Sequence, residues 1–392
     1  MVQKKYKGIS VLIFGTDGRQ ALPVIKGFAQ VGCKVTVFGA SKLDPGFVTR
    51  YTTSRILYQK VKKEGESFND CGERLIRENH FDLVVPLRDR TAIFLSERKQ
   101  ELSSYAKIAV NDWDVMRYAS DKALTMSACE ELGIPAPKTV FGDRILEQVD
   151  QKGFQYPLVV KPRTAGGSVG FNIFKSREKL AEYLESYDNA NGPLLCQEYI
   201  EQKDAPQYRA DFFRDRDGKF KAALVGKNLR WYPLDGGFGV FSTTILDDEI
   251  LQMGKKLLDR IGWNGYANID MVWDINENRA KILEINGRTG ASIMLDYVAG
   301  VNMSQLILEN ELGYEVSDFT AYQPDKKIAC FYLDVLWFLK SKDRFRAKPS
   351  WFHRIGVKDI IISWSDPVPA VAYLLQSMMN YRMVSEKRKR IE

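Results

Sequence analysis

An otherwise apolar segment near residue 285 ends on three polar residues. In Lys281-Ile282-Leu283-Glu284-Ile285-Asn286-Gly287-Arg288, a carboxylate, an amide and a guanidinium fall at alternate positions, with Gly287 and Gly290 beside them. Alternation along an extended chain sends the three to one face. Upstream, YANIDMVW (266–273) reads as a strand and carries Asp270. On neighbouring antiparallel strands, Asp270, Glu284 and Asn286 can turn three oxygens toward one cleft. Oxygen-only ligation suits a hard cation such as Mg²⁺, whose shell phosphate oxygens complete. Arg288 suits an anionic oxygen beyond the metal. A bare Glu284–Arg288 ion pair would explain neither Asn286 nor the glycines.

A second group lies in the middle of the chain. Lys161 ends the strand YPLVVKP (156–162), where a buried ammonium needs an anionic partner. The loop RTAGGSVG (163–170) follows, and FNIF then returns as a hairpin strand. Backbone N–H groups at Gly166, Gly167 and Gly170 can approach an anion closely, and Ser168 adds a hydroxyl donor. Together the two groups describe a platform for a metal ion and a phosphate chain.

The elements that must hold these residues follow from hydrophobic period and turn chemistry. GISVLIF, CKVTVFGA and FDLVVPL read as buried strands, with helical segments between them. That alternation predicts a doubly wound parallel sheet over residues 1–112. Its first turn, Gly15-Thr16-Asp17-Gly18, lacks the third glycine of a dinucleotide fingerprint but precedes a helix N-terminus suited to a small anion. Arg88 and Asp89 follow FDLVVPL, at a strand end that shapes a substrate crevice. Residues 113–190 read as a helix, a hairpin around the glycine loop and a further helix. Residues 191–315 read as strand pairs, an amphipathic helix and the two acidic strands. The remainder, 316–392, is aromatic, Met-rich and basic, and reads as amphipathic helices packed on the preceding domain.

Composition narrows the classes further. The chain has 392 residues, 45% hydrophobic, enough for two or three cores. Five scattered cysteines form neither a zinc pattern nor a disulfide framework, which points to a reducing, cytoplasmic setting. The N-terminal apolar run is only a strand's length, so no signal peptide is expected, and no segment has the roughly 18 apolar residues of a membrane span. The net charge of +7 suits anionic small molecules; with no further basic motif, nucleic acid is not an expected partner. The tail SEKRKRIE beyond an amphipathic helix allows peripheral contact with the inner membrane surface. The oligomeric state is left open, with a homodimer allowed. Two histidines and no Ser–His pairing argue against a protein nucleophile, and no P-loop signature occurs.

Taken in order, Lys122 before GIPAPKT, VVKPRTAGGSVG, CQEYIE and NIDMVWD…KILEINGRTG resemble the ATP-grasp superfamily over roughly residues 8–315. The resemblance implies a two-lobed ATP-grasp fold after the parallel-sheet domain, with Mg²⁺ (Mn²⁺ as a substitute) and ATP as cofactors. Lys122 and Lys161 would contact the nucleotide, and Gly166, Gly167, Ser168 and Gly170 would form a lid over its phosphates. Glu198, Tyr199 and Ile200 would read the adenine. For the ribose, Glu201, Asp204 and Gln207 compete. Asp270, Glu284 and Asn286 match metal ligands, and Arg288 the arginine near the transferred phosphoryl group. Lys227 sits where another phosphate-binding basic residue is found. GKNLRWYPLDGGFGVFS further resembles a carboxylate–amine ligase subgroup of cell-envelope or surface-polysaccharide assembly. There the loop Asp235-Gly236-Gly237-Phe238-Gly239, with Lys227 and Arg230 ahead of it, would close over the acceptor or the carboxylate. The implied reaction is ATP-dependent activation of a carboxylate as an acylphosphate, followed by attack of an amine. Activation of bicarbonate or carbamate, and a non-catalytic ATP-binding role, are the competing readings.

Overall fold

The computed structural model describes residues 5–164, 170–189, 191–202, 205–234 and 237–389. The first sheet is parallel throughout: β1 (Ser10–Phe14), β2 (Lys34–Gly39), β3 (Ser54–Leu57), β4 (Leu83–Pro86) and β5 (Lys107–Ile108), in the order β3-β2-β1-β4-β5. Residues of β1 alternate between two cores. Leu12 and Phe14 join the cluster that contains Phe38 and Ile76, while Val11 and Ile13 join the one with Phe28 and Leu306. Burial on both faces explains why GISVLIF is almost uninterruptedly apolar. The strand order reverses between β1 and β4, so the loops after these two strands flank a crevice at the sheet's carboxyl edge.

Two further sheets follow. The smaller is antiparallel, with β6 (Thr139–Phe141), β7 (Leu158–Pro162), β8 (Asn172–Phe174) and β9 (Leu194–Glu198) in the order β6-β9-β7-β8, and it has its own core around Leu158, Val160, Leu180 and Cys196. The larger has seven strands: β10 (Gln207–Arg214), β11 (Phe220–Tyr232), β12 (Phe238–Ile245), β13 (Gly265–Asp274), β14 (Arg279–Asn286), β15 (Lys327–Ala329) and β16 (Val357–Asp359). A parallel-sheet domain, two lobes and a C-terminal extension are the organisation that the sequence predicts.

The extension differs in detail from a pair of helices. The helices Phe331–Lys340 and Val368–Lys389 are present, but β15 and β16 add two short strands to the edge of the large sheet. The extension also straps back onto the first domain. Asp366 accepts from the Thr49 hydroxyl and the Arg50 backbone, and Gln376 donates to Asp44 at 2.8 Å. Among the described residues no helix is long and apolar enough to cross a membrane.

Candidate functional site

Register in the large sheet assembles the acidic group. Asp270 lies opposite Glu284, and Asn268 opposite Asn286, so these four side chains share a face. A β-bulge just beyond them adds a fifth polar residue to this face. Leu283 has no partner, so Lys281, opposite Val272, points to the same face as Glu284 despite their odd separation. Ile282 and Ile285, on either side of the extra residue, both enter the core. Gly287 closes the strand because a Cβ there would lie 2.6 Å from Met116 Sδ.

Hydrogen bonds fix the amide orientation. Asn286 Nδ2 donates to Asp270 Oδ2 at 2.9 Å and to Asn268 Oδ1 at 3.0 Å. Asn268 Nδ2 donates in turn to Asp211 Oδ1 at 2.9 Å. A carboxylate only accepts, so Asp211 dictates both amides and leaves the Asn286 carbonyl without a donor among the described residues. Asp211 is fully buried; it also receives the Tyr266 hydroxyl and pairs with Arg209. Burial and the Asp211 charge hold Asp296, beside Arg209, well above the usual carboxylate range.

The lysines converge on this group from two other elements. Asp121 caps the helix Lys122–Leu132 and receives the Arg163 guanidinium, tying the foot of the glycine loop to that helix. Lys122 Nζ then lies 3.3 Å from Glu284 Oε2. Lys161, on β7, feels both Glu284 and Lys122; burial pulls its ammonium down to about 8, partly offset by Glu284. Asp270 moves the other way. Burial, then the neighbouring Glu284 charge, raises it to about 6. Two carboxylates that repel each other, with an unclaimed amide oxygen alongside, are a donor set short of a cation. The residues fit Mg²⁺.

Arg288, just beyond β14, reaches the first domain. Its Nε and Nη2 grip the two oxygens of Asp89 at 3.1 Å each. Arg88 pairs with Asp17 in the turn after β1, so both sequence-selected residues line the switch-point crevice.

Other selected residues are placed differently. Glu198 is already engaged: its Oε1 accepts from Lys281 Nζ at 2.8 Å and from the Lys138 backbone at 3.0 Å. Glu198, Asp274 and Glu277 bring carboxylate oxygens within 4.8 Å of one another, a spacing a cation could use, and the Lys281 ammonium fills it. Tyr199 and Ile200 follow at the lobe junction, where Tyr199 reaches Glu201. Lys227 lies opposite Tyr208, which itself faces Met271; register therefore sets it on the side of the sheet away from Asp270, with its ammonium 5.5 Å from the Tyr208 ring. Arg230 is engaged with the C-terminal extension. Its guanidinium forks Asp334 at 2.8 and 3.0 Å, sits 4.0 Å from the Phe241 ring and is buried, so it braces the C-terminal extension. Gly170 has φ +69°, and Gly237 packs against the Tyr232–Pro233 backbone. Gly166, Gly167, Ser168, Asp204 and Gly236 lie outside the described residues.

Sequence reading missed Asn268, Asp211 and Lys281. Asn268 shares parity with Asp270, and Lys281 is a charge set between the apolar Ala280 and Ile282, so both left a signal.

The chain resembles characterised proteins over this region. Residues 119–292 match a family model described as an ATP-grasp domain. D-aspartate ligase of Enterococcus faecium is 25% identical over 264 residues, covering 61% of this chain and 62% of that protein. D-alanine–D-alanine ligase B of Pseudomonas putida is 25% identical over 207 residues, covering 48% and 63%. Each match thus spans less than two thirds of the relative. The biotin carboxylase–β,γ-ATP complex of Campylobacter jejuni superposes with a TM-score of 0.65 at 16% identity, covering 81% of this chain and 74% of that one. That likeness concerns the fold. With the lysines, the acidic strands and the lobes placed as above, residues 119–292 of this chain form an ATP-grasp domain.

Proposed function

We propose that this chain is an ADP-forming ligase that uses ATP and Mg²⁺ to activate a carboxylate as an acylphosphate, which an amine then attacks to form an amide. Cell-envelope or surface-polysaccharide assembly is the proposed setting. The observation that carries the reading is the convergence of Lys122, Lys161, Asp270, Glu284 and Asn286 on one cleft, with Arg288 at its rim. On this reading the domains divide near residues 112, 190 and 315.

Asp270, Glu284 and the Asn286 carbonyl would hold Mg²⁺, which when bound neutralises charge on the phosphate oxygens. Lys122 and Lys161 bind the phosphate chain. Lys161 gains most from its arrival, because an anion restores the ammonium that burial disfavours. Arg288, steadied by Asp89, orients the transferred phosphoryl group against the acid in the switch-point crevice. No side chain needs to act as nucleophile, since the acylphosphate carries its own leaving group. Release of ADP and phosphate dependent on both an acid and an amine tests this. Glu284→Gln should lower that turnover by about a hundredfold or more with the fold retained. Full turnover in that variant would remove the assignment.

The extension supports a reading of peripheral membrane contact. Phe345 is 73% exposed and Trp364 99% exposed, and Lys340, Lys342, Arg346 and Lys348 are exposed or half-buried around Phe345 in the chain.

A further inference from the structure

The loop after β1 carries a buried arginine that no acidic side chain neutralises among the described residues. Arg19 is 9% exposed, and its Nη1 is buried without a hydrogen-bond partner. Its neighbours are the Phe238 ring, 5.7 Å from the guanidinium carbon, the Cys330 thiol and Tyr373. A desolvated guanidinium surrounded by an aromatic ring, a thiol and a phenol is costly, so either the fold tolerates the loss or a ligand supplies the charge.

Its position favours a ligand. Arg19 stands at the switch point of the parallel sheet, where the β1 and β4 loops are cross-tied. Asp17 holds Arg88, and Gln20 Nε2 donates to the Leu87 carbonyl at 2.8 Å, whereas Arg19 between them meets the Cys330 thiol and keeps Nη1 unpartnered among the described residues. The helix Ala21–Val31 begins immediately after it, and Gln20 provides no side-chain cap. The crevice leads on to Asp89, which grips Arg288 at the rim of the acidic cleft. Facing it, the large sheet offers small and polar side chains: Asn228 pairs with Gln207 and Ser242, on the same face as Asp270.

We infer that Arg19 is an anion-binding residue for the acid substrate, receiving a second oxyanion, a carboxylate or a phosphate, distinct from the carboxylate that is activated. This deepens the ligase reading and rests on it only for calling the anion's carrier a substrate. The substrate class is therefore a dianion.

The test uses the full chain and thermal unfolding with succinate, each enantiomer of aspartate, inorganic phosphate and, as the monoanion control, acetate. At least one dianion should raise the melting temperature where acetate does not, and which one responds separates a carboxylate from a phosphate. Arg19→Met should weaken that response by about tenfold or more, Arg19→Lys should keep part of it, and unliganded Arg19→Met should melt no lower than the parent, because it loses an uncompensated buried charge. An Arg19→Met variant that responds like the parent overturns the proposal. So does one that melts well below it unliganded, which marks a purely structural arginine, or a parent that responds to none of the dianions at tens of millimolar. Binding of a fluorescent ATP analogue with Mg²⁺ keeps the two readings apart: it should survive Arg19→Met and fall in Glu284→Gln. Failure of that second result counts against the ligase site and leaves the anion assay to stand alone.

Discussion

Replacing Asp270 by Asn should make the protein more stable and less active, and the size of the gain can be worked from the cleft. Burial and the Glu284 charge raise Asp270 from 3.8 to about 6. Moving a carboxyl by one pH unit corresponds to about 1.4 kcal/mol, so ionised Asp270 costs the metal-free protein about 3 kcal/mol at pH 8. The half-buried position screens part of this and leaves about 2 kcal/mol. Asparagine keeps the shape and still offers an oxygen to Asn286 Nδ2, but carries no charge to bury. The sign follows from linkage. A group whose folded value is raised contributes stability that is complete below the unfolded value and lost as pH rises through about 6. The advantage of Asp270→Asn should therefore be largest at pH 8, about half as large at pH 5 and nearly gone at pH 4. Urea unfolding of both proteins at the three pH values, without divalent cations, measures it. A variant less stable than the parent at pH 8, or one whose advantage ignores pH, refutes the idea that the site stores carboxylate repulsion.

Three further outcomes are expected. Lys281→Met should destabilise the protein by about 3 kcal/mol in urea unfolding, because Lys281 is buried and its loss leaves Glu198, Asp274 and Glu277 repelling one another. Arg230→Met should cost about 1–2 kcal/mol, because buried Asp334 then keeps only the Arg354 guanidinium at 2.7 Å, and adding Asp334→Leu should recover part of it. A catalytic Arg230 would instead lose turnover in the double variant while stability returned. On acidic lipid vesicles the chain should sediment at low salt and be released at high salt, with Phe345→Ser weakening retention; a chain that stays in the supernatant argues against membrane contact.

The two-residue period of a strand made Glu284 and Asn286 legible, since residues of equal parity share a face, and the apolar runs around Phe14 and Val85 announced a sheet buried on both sides. Other features depended on distant partners. Glu198 could be singled out, but not its capture by Lys281, 83 residues away. Arg230 lies near a glycine-rich loop and invites a role in closure; its pairing with Asp334, 104 residues later, leaves no local sign. Lys227 went to the far side of the sheet because β11 pairs with β10 in a register no local pattern fixes. The strands β15 and β16 have three residues each, too short to show a period of two. Asn268 was overlooked because a neutral amide beside an aspartate looks like filler until Asp211 is seen behind it.

The unpaired Leu283 has a consequence for how this segment can change over time. It uncouples the two halves of β14: Lys281 and Ile282 keep their phase from one side, Glu284 and Ile285 from the other. Exchanging one aliphatic residue for another here alters packing locally. Losing the Leu283 codon would remove only the unpaired residue and leave both halves in phase, whereas losing Ile285 would turn Asn286 toward the hydrophobic interior. The motif thus tolerates a shorter chain at Leu283 and not at nearby Ile285.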